Sequence, residues 1–284
     1  MENNAVLLIT CPDHKGIVAD VSQFLYFHNA NIIHADQHKD YEQNLFFMRV
    51  EWNLDEFDLN EMELKFHFMK LAVKHKMKWQ MRLAWKRIKT AIFVSKQDHC
   101  LADLLYRYSK KELNIDIGLI ISNHLETKKM AEIYKIPFLE FSRINENKEN
   151  HDRKILLLLE KYRIELIILA RYMQILNPEY VKKYPNKIIN IHHSFLPAFI
   201  GANPYKKAYD RGVKIIGATS HYVTDELDKG PIIEQDILRV THRDSVQDLI
   251  RKGKDLERMV LSRAVQWHAE EKILVYSNKT VVFS

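Results

Sequence analysis

Asn190 and His192 are the residues of this chain whose types and spacing most directly suggest chemistry, in the segment Ile188–His192. Side chains alternate between the two faces of a β-strand, so residues at this spacing point in the same direction. An amide and an imidazole side by side can both donate hydrogen bonds to one developing oxyanion. The residue types alone modestly favour the alternative, a structural pair that ties two loops together.

Asp228 is the carboxylate that could complete such a site. It lies in the acidic turn Thr224–Gly230, between the strand-like segments Ile215–Val223 and Ile232–Leu238. A carboxylate that faces an imidazole favours its protonated form, and it can also hold a water molecule against a carbonyl carbon. The fold must bring Asp228 to His192 for this to happen, because an acidic turn of this composition is otherwise an ordinary solvated loop.

A metal site is the rival interpretation of the histidines in this region, with a nearby aspartate as a further ligand. The candidate ligands are His192, His193, His221, Asp225 and Asp228. His192 and His193 are adjacent in a strand and should diverge, and the sequence has no HExxH or similar ligand spacing. We therefore expect no metal, and we expect His193 and His221 to make structural hydrogen bonds.

Strands and helices alternate in the part of the chain that must position these residues. Apolar runs predict strands, and apolar residues at helical spacing predict helices. The strands are Thr90–Val94, Ile115–Ile121, Leu166–Ala170 and Ile188–His192, and the helices are Leu101–Tyr108, Lys128–Tyr134, Ile155–Tyr162 and Pro178–Lys183. This alternation predicts an open, mostly parallel α/β sheet, whose ligands bind beyond the carboxyl ends of the strands. Asn190 and His192 are expected at that edge.

The first part of the chain has a different order of elements. Its predicted strands are Ala5–Thr10, Ile32–His38, Leu45–Trp52 and Gln80–Ala84, with helices over Ile17–Leu25 and Met62–Ala72. The order β-α-β-β-α-β is that of a ferredoxin-like α+β unit.

Composition and charge narrow the class of protein. The 284 residues favour about two domains, and the two cysteines are too few for a disulfide framework. Neither a run of about 18 apolar residues nor a signal peptide is present, so we expect no membrane contact and a cytoplasmic protein. The net charge of +6 is concentrated between Lys65 and Lys89, without interleaved aromatic residues, so nucleic acid is not an expected partner.

Several motifs of the second part resemble the formyltransferase catalytic domain. They are Asn190–His192, Ser194–Pro197, Thr224–Pro231 and the segment Ile168–Leu176. The resemblance implies that Asn190, His192 and Asp228 are catalytic. It also implies that a folate substrate contacts Met173, Gln174, Ile175, Leu176, Thr224, Asp225, Glu226 and Leu227. No cofactor is implied, since the folate is itself the substrate.

The first part resembles an ACT domain through Cys11–Ala19, Asn31–Ile32 and Phe46–Arg49. An ACT domain followed by a formyltransferase domain is the layout of the formyltetrahydrofolate deformylases. The implied domains are an ACT-like regulatory or oligomerisation domain at 1–84, a linker at 85–89 and a Rossmann-like catalytic domain at 90–284. The implied reaction is hydrolysis of 10-formyltetrahydrofolate to tetrahydrofolate and formate, which supplies formate for purine biosynthesis and balances the one-carbon folate pool.

The ACT-like part suggests a regulatory site or an oligomerisation unit. The loop Asp13, His14, Lys15 and Gly16 combines a carboxylate with backbone amides at a helix start, so it is the candidate site for an amino-acid effector such as glycine or methionine. A purely oligomerising role is equally compatible with the sequence. In either case we expect a homo-oligomer, for which a tetramer is one candidate.

Two other functions are alternatives to hydrolysis. In the transformylases of this family, a glycine-rich loop after the first strand holds the phosphate of glycinamide ribonucleotide. The matching segment Ser95–Cys100 has no glycine, and Asp98 would repel a phosphate. Formyl transfer to that amine is therefore the second choice. A catalytically inactive folate-binding regulator is the third, and the presence of Asn190, His192 and Asp228 argues against it.

Overall fold

The computed structural model describes residues 3–141, 148–197 and 204–284. The chain forms two compact units. The first contains the residues up to Arg87 together with Glu270–Tyr276 and Thr280–Ser284, and the second contains Ile88–Ala269 and Ser277–Lys279. The predicted limits at 85–89 fall close to this division, but they remain a prediction of domain extent. The grouping of Glu270–Tyr276 with the first unit differs from the predicted span of 90–284.

The first unit follows the predicted β-α-β-β-α-β order. Its elements are β1 (Asn4–Pro12), α1 (Ile17–Phe27), β2 (Asn31–Asp40), β3 (Leu45–Asn53), α2 (Glu61–Lys74) and β4 (Lys78–Leu83). Across the described residues the sheet has the strand order β2-β3-β1-β4, and β3 and β4 both pair with β1 in antiparallel fashion. Asn60 caps the amino end of α2, and its side chain forms a capping box with Glu63.

Most of a C-terminal hairpin belongs to the first unit. Its strands β12 (Ile273–Tyr276) and β13 (Lys279–Val282) pair with each other. Phe283 packs with Leu8 and Phe47 in a small apolar cluster that is separate from the larger core formed with α1 and α2. Both faces of β1 are therefore covered, which explains why β1 is buried along most of its length.

The second unit is an α/β layer structure built on a mostly parallel sheet, as predicted. Its elements are β5 (Ile88–Val94), α3 (His99–Ser109), β6 (Ile115–Ser122), α4 (Lys128–Ile133), β7 (Phe138–Glu140), α5 (Lys148–Lys161), β8 (Leu166–Ala170), α6 (Pro178–Lys183), β9 (Ile188–His192), α7 (Pro204–Arg211), β10 (Ile215–Tyr222), β11 (Ile232–Arg239) and α8 (Val246–Ala269). Helix α5 begins at Lys148, earlier than the predicted start at Ile155, because polar residues continue the helix beyond its apolar stripe.

The strand order of this sheet places β9 at a change of direction. Over the described ranges the order is β11-β10-β9-β8-β5-β6-β7. The pairs from β9 through β8, β5 and β6 to β7 are parallel, whereas β10 is antiparallel to both β9 and β11. The carboxyl end of β9 is therefore flanked by a strand that runs the other way, and this creates a recess at the sheet edge.

Among the described helices, none combines the length and the apolar character that crossing a bilayer would require.

Candidate active site

Asn190 and His192 lie on the last three residues of β9, where strand alternation directs both to one face of the sheet. The neighbouring Ile189 and Ile191 are buried in packing. His192 is itself buried, with only 6% of its surface exposed. Its Nε2 atom has no hydrogen-bond partner among the described residues. A buried ring nitrogen without a partner is unusual, and it suggests a bond that forms when a ligand is present.

His221 is tied to Asn190 by the register of the sheet. The two residues are Cα partners across the antiparallel pair β9–β10, and Asn190 Nδ2 lies 3.2 Å from His221 Nε2. His221 Nδ1 lies 2.9 Å from the carbonyl oxygen of Tyr222, to which it donates. Nε2 is then the acceptor of the neutral ring, and burial lowers the pKa of His221 below its ordinary value. The bond from Asn190 Nδ2 to His221 Nε2 therefore orients the Asn190 amide, and the second N–H of that amide can donate to a ligand.

Asp228 lies next to His192 although 36 positions separate them in the sequence. Asp228 Oδ1 is 3.4 Å from His192 Nδ1 and 3.8 Å from His221 Nε2. The contact with His192 is the main reason why the pKa of Asp228 lies below its ordinary 3.8, despite the opposing effect of burial. Asp228 is therefore a carboxylate at neutral pH, held against the imidazole.

The backbone around Asp228 explains how this loop reaches the sheet. Asp228 has φ 57°, a left-handed conformation that aspartate tolerates better than most residues. Gly230 lies so close to β10 that a Cβ atom there would be 1.7 Å from the Tyr222 carbonyl oxygen. Only glycine permits this approach, so Gly230 holds the Thr224–Gly230 turn against the end of β10.

A cavity of about 700 Å³ opens beside these residues. Its lining includes all eleven residues predicted for the site in this domain: Asn190, His192, Asp228, Met173, Gln174, Ile175, Leu176, Thr224, Asp225, Glu226 and Leu227. Met173 and Ile175 are exposed, as is Leu227 on the other loop, so apolar side chains are available to a planar ligand. The structure thus brings together the segments Met173–Leu176 and Thr224–Leu227, although almost 50 positions separate them in the sequence.

A buried polar cluster around Glu257 lines the same cavity and was not predicted. Glu257 Oε1 accepts a hydrogen bond from Tyr205 at 2.5 Å, and Oε2 lies 2.8 Å from His99 Nε2. Arg171 Nε is 3.3 Å from the same Oε2. Burial acts to raise the pKa of Glu257, but the bond from His99 and the charge of Arg171 outweigh it, so this pKa lies below the ordinary 4.5.

The signal for Glu257 is present in the sequence. Within α8 it follows Leu256 and precedes Val260 and Leu261, on the face that is otherwise apolar. A carboxylate on the buried face of an amphipathic helix requires partners in the fold. Those partners come from α3, α7 and the segment after β8, and the sequence pattern could not identify them.

His193 connects the two clusters. Its ring centroid lies 5.1 Å from that of His192 and 6.4 Å from that of Tyr205. Burial, followed by the positive charge of Arg171, lowers the pKa of His193 from 6.5 to about 4. His193 is therefore neutral at physiological pH, and its structural hydrogen bond stays a prediction.

His99, Cys100 and Glu257 are close enough to be considered as metal ligands, with ligand atoms within 4.8 Å of one another. Both oxygens of Glu257 are already bonded to protein groups. Burial also holds the pKa of Cys100 well above its ordinary value, so the sulfur is a thiol and a poor metal ligand. These contacts do not favour a metal, and its predicted absence stays a prediction.

The candidate effector loop lies in the first unit, and its side chains contact neighbours there. Asp13 Oδ2 is 2.5 Å from Lys39 Nζ. His14 Nε2 is 2.6 Å from His75 Nδ1, and His14 Nδ1 is 2.9 Å from the Pro12 carbonyl oxygen. Gly16 has φ 96° and precedes α1. The side chains of Asp13 and His14 are thus bonded within the first unit, and the role of the loop as an effector site stays a prediction.

Comparisons with known proteins cover both units. The family model described as "Formyl transferase" matches residues 88–265, and the model described as "ACT domain" matches residues 5–60. The "Formyltetrahydrofolate deformylase" of Synechocystis sp. is 54% identical over 100% of both chains. The crystal structure of a formyltetrahydrofolate deformylase from Pseudomonas syringae pv. tomato is 44% identical with a TM-score of 0.97, covering 100% of this chain and 95% of that chain.

A transformylase is also similar to this chain, but over a smaller part of it. The crystal structure of glycinamide ribonucleotide transformylase 1 from Symbiobacterium toebii is 26% identical with a TM-score of 0.67, covering 70% of this chain and 95% of that chain. The deformylases instead match the whole length, with both units included.

Proposed function

Because this chain belongs to the formyltetrahydrofolate deformylase family, we propose that it hydrolyses 10-formyltetrahydrofolate to tetrahydrofolate and formate. The observation that carries the proposal is the contact between Asp228 and His192 beside Asn190, at the wall of one cavity. A base, an imidazole and an amide donor are the groups that hydrolysis of a formamide requires.

The proposed reaction begins with a water molecule held by Asp228. The carboxylate accepts a proton from this water, directly or through His192, while the water oxygen attacks the formyl carbon. Protonated His192 donates from Nε2 to the developing oxyanion, and Asn190 donates its second amide N–H. His192 Nε2, which has no partner within residues 3–141, 148–197 and 204–284, and the Asn190 amide held by His221 suit these two roles.

Collapse of the tetrahedral intermediate completes the reaction. The bond between the formyl carbon and N10 breaks, and its electron pair goes to N10, which takes a proton from His192. Formic acid leaves and loses its proton to become formate. This route needs no metal or redox cofactor, because Asp228 and His192 move the proton between them. The predicted absence of a cofactor is part of the proposal.

For the folate we propose the cavity wall formed by Met173–Leu176 and Thr224–Leu227. Both segments line the cavity that also contains Asp228. They offer exposed apolar side chains and backbone groups, which suit a flat heterocycle with several donors and acceptors.

The loop after β5 supports water rather than an amine as the acceptor. The segment Ser95–Cys100 has no glycine, so its amides cannot approach a phosphate closely. Gln97 accepts a hydrogen bond from Arg171, and His99 contacts Glu257. Gln97 and His99 are thus bonded to other protein side chains, and they are not available to bind the phosphorylated amine that a transformylase uses.

For the first unit we propose binding of a small amino acid, glycine or methionine, at the loop Asp13–Gly16. Its match to the ACT domain supports this role. A thermal-shift measurement with each amino acid tests it, since an unchanged melting temperature and unchanged turnover argue for a purely oligomerising unit.

Both cysteines are free thiols, which accords with the reducing cytoplasm that we propose as the location.

Formate release with and without an amine acceptor tests the function. Formate that appears at the same rate without glycinamide ribonucleotide supports hydrolysis. Loss of the formyl group only when the amine is present would instead support transfer. Absence of turnover under both conditions, with folate binding retained, would indicate a regulator.

A further inference from the structure

Helix α2 carries an apolar stripe on the side that faces away from the sheet of the first unit. Leu64, Phe68 and Ala72 are its buried residues. Met62, Phe66, Met69 and Val73 are 80%, 69%, 50% and 70% exposed. At about 100° per residue, these four positions fall within a narrow band roughly opposite the buried face. A surface helix normally has charged and polar residues there.

The spacing of this α2 stripe is that of a helix–helix seam. Successive members are separated by four, three and four positions, which is the alternation of a and d positions in a heptad repeat. Exposed apolar residues scattered singly need no explanation, but a contiguous stripe marks an interaction surface. The period therefore indicates that the occupant is another helix.

Charges beside the stripe indicate which helix fits. Glu63 and Lys70 flank the stripe on the same side, in the first and second halves of α2. Glu61 and Lys74 are instead paired within the chain, Glu61 with Lys65 and Lys86 and Lys74 with Asp20. Against an antiparallel copy of α2, Glu63 of each helix would meet Lys70 of the partner subunit. A parallel copy would instead put like charges together, with Lys65 beside Lys70 of the partner subunit.

We propose that the α2 stripe binds the α2 stripe of a second copy of this chain, antiparallel and across a two-fold axis. Such an interface is isologous, as in most homodimers. Met62 then packs against Val73 of the partner subunit, and Phe66 packs against Met69 of the partner subunit. Glu63, whose second carboxylate oxygen is not used in the capping box, lies beside Lys70 of the partner subunit.

The molar mass of the full-length chain in solution tests this proposal. Phe66→Glu puts a carboxylate in the centre of the seam, so we expect the mass of the assembly to fall twofold relative to wild type in sedimentation equilibrium. Ile133→Glu is the matched control, since Ile133 is 76% exposed on α4 of the other unit. Its mass should equal that of wild type. A monomeric wild-type chain, or a Phe66→Glu variant of unchanged mass, overturns the proposal, and the former would point to a different protein as occupant.

Two further variants keep the test independent of any folding defect in Phe66→Glu. Lys70→Glu should raise the dissociation constant by about fivefold, because it removes two exposed ion pairs. The double variant Phe66→Cys/Met69→Cys should form a disulfide-linked dimer under mild oxidation, and Phe66→Cys alone should form much less. The native Cys11 and Cys100 are buried and should not interfere. Equal cross-linking by Phe66→Cys alone would indicate a parallel pair and would overturn the antiparallel arrangement.

Discussion

Asp228 Oδ1 lies 3.4 Å from His192 Nδ1, and this contact joins the Thr224–Gly230 turn to the end of β9. Because the Asp228 carboxylate contacts Nδ1 of His192, Nε2 is the ring nitrogen that remains for another partner. That atom is buried and has no partner in the described part of the chain. The pair is therefore oriented for an incoming group at Nε2.

Asp228→Asn tests the proposed base. Asparagine has the same shape and also tolerates the φ of 57° found here, so the fold should be retained. It cannot accept the proton of water, and we expect kcat for formate release to fall by more than about 10³-fold. Asp255→Asn, in an exposed position on α8, is the control with unchanged turnover. A folded Asp228→Asn protein with near-normal turnover would refute the assignment.

Asn190→Ala tests the amide donor to the oxyanion. Loss of one such donor typically lowers kcat by about 10²–10³-fold. KM should change much less, because the oxyanion develops only in the transition state. Steady-state kinetics of formate release measure both quantities. A rise in KM alone would mean that Asn190 binds the substrate without assisting the reaction.

Gly253→Ala tests how Tyr205 reaches Glu257. A Cβ atom at residue 253 would lie 2.1 Å from the Tyr205 hydroxyl oxygen. The displaced ring should cost about 1–3 kcal/mol in the free energy of unfolding, more than the gain of up to about 1 kcal/mol from helix propensity. Urea unfolding measures the difference.

Gly118→Ala is the control for that substitution. A Cβ atom at residue 118 would meet only Ile164 Cδ1, at 3.6 Å, which is an ordinary contact. Its free energy of unfolding should be equal to or slightly above that of wild type. In a Tyr205→Ala background the cost of Gly253→Ala should disappear, and a cost that persists there would rule out the clash as its cause.

His193 should make stability depend on pH. Its pKa is lowered from 6.5 to about 4, mainly by burial. Between these two values the unfolded chain binds a proton that the folded chain does not, so the free energy of unfolding decreases as the pH falls from 6.5 to about 4. This contribution is up to roughly 3 kcal/mol and changes no further at lower pH.

His193→Gln removes the titrating group and should flatten that dependence. Urea unfolding at pH 7 and at pH 4.5 gives, for each protein, the change in the free energy of unfolding between the two pH values. This change is then compared between wild type and His193→Gln. If His193→Gln loses as much stability on acidification as wild type, other groups account for the acid sensitivity.

Local sequence patterns were sufficient for the arrangement of elements. Apolar runs and helical spacing predicted the β-α-β-β-α-β order of the first unit and the mostly parallel sheet of the second, and the structure confirms both fold classes. The packing of Phe283 against Leu8 could not be predicted from the sequence, because a short apolar segment does not indicate which face of which sheet it covers. The same limit applies to Glu257, whose position on an apolar helix face is visible but whose partners are not.

The amino-acid sequence by itself determined that Asn190 and His192 share a face, since that follows from the two-residue period of a strand. It also determined that Gly230 and Asp228 form a turn. Only the tertiary structure decided that this turn meets β9 and that His221 lies opposite Asn190. Both outcomes depend on the register between strands and on close backbone approach, and these are set by the packing of the whole sheet rather than by any local run of residues.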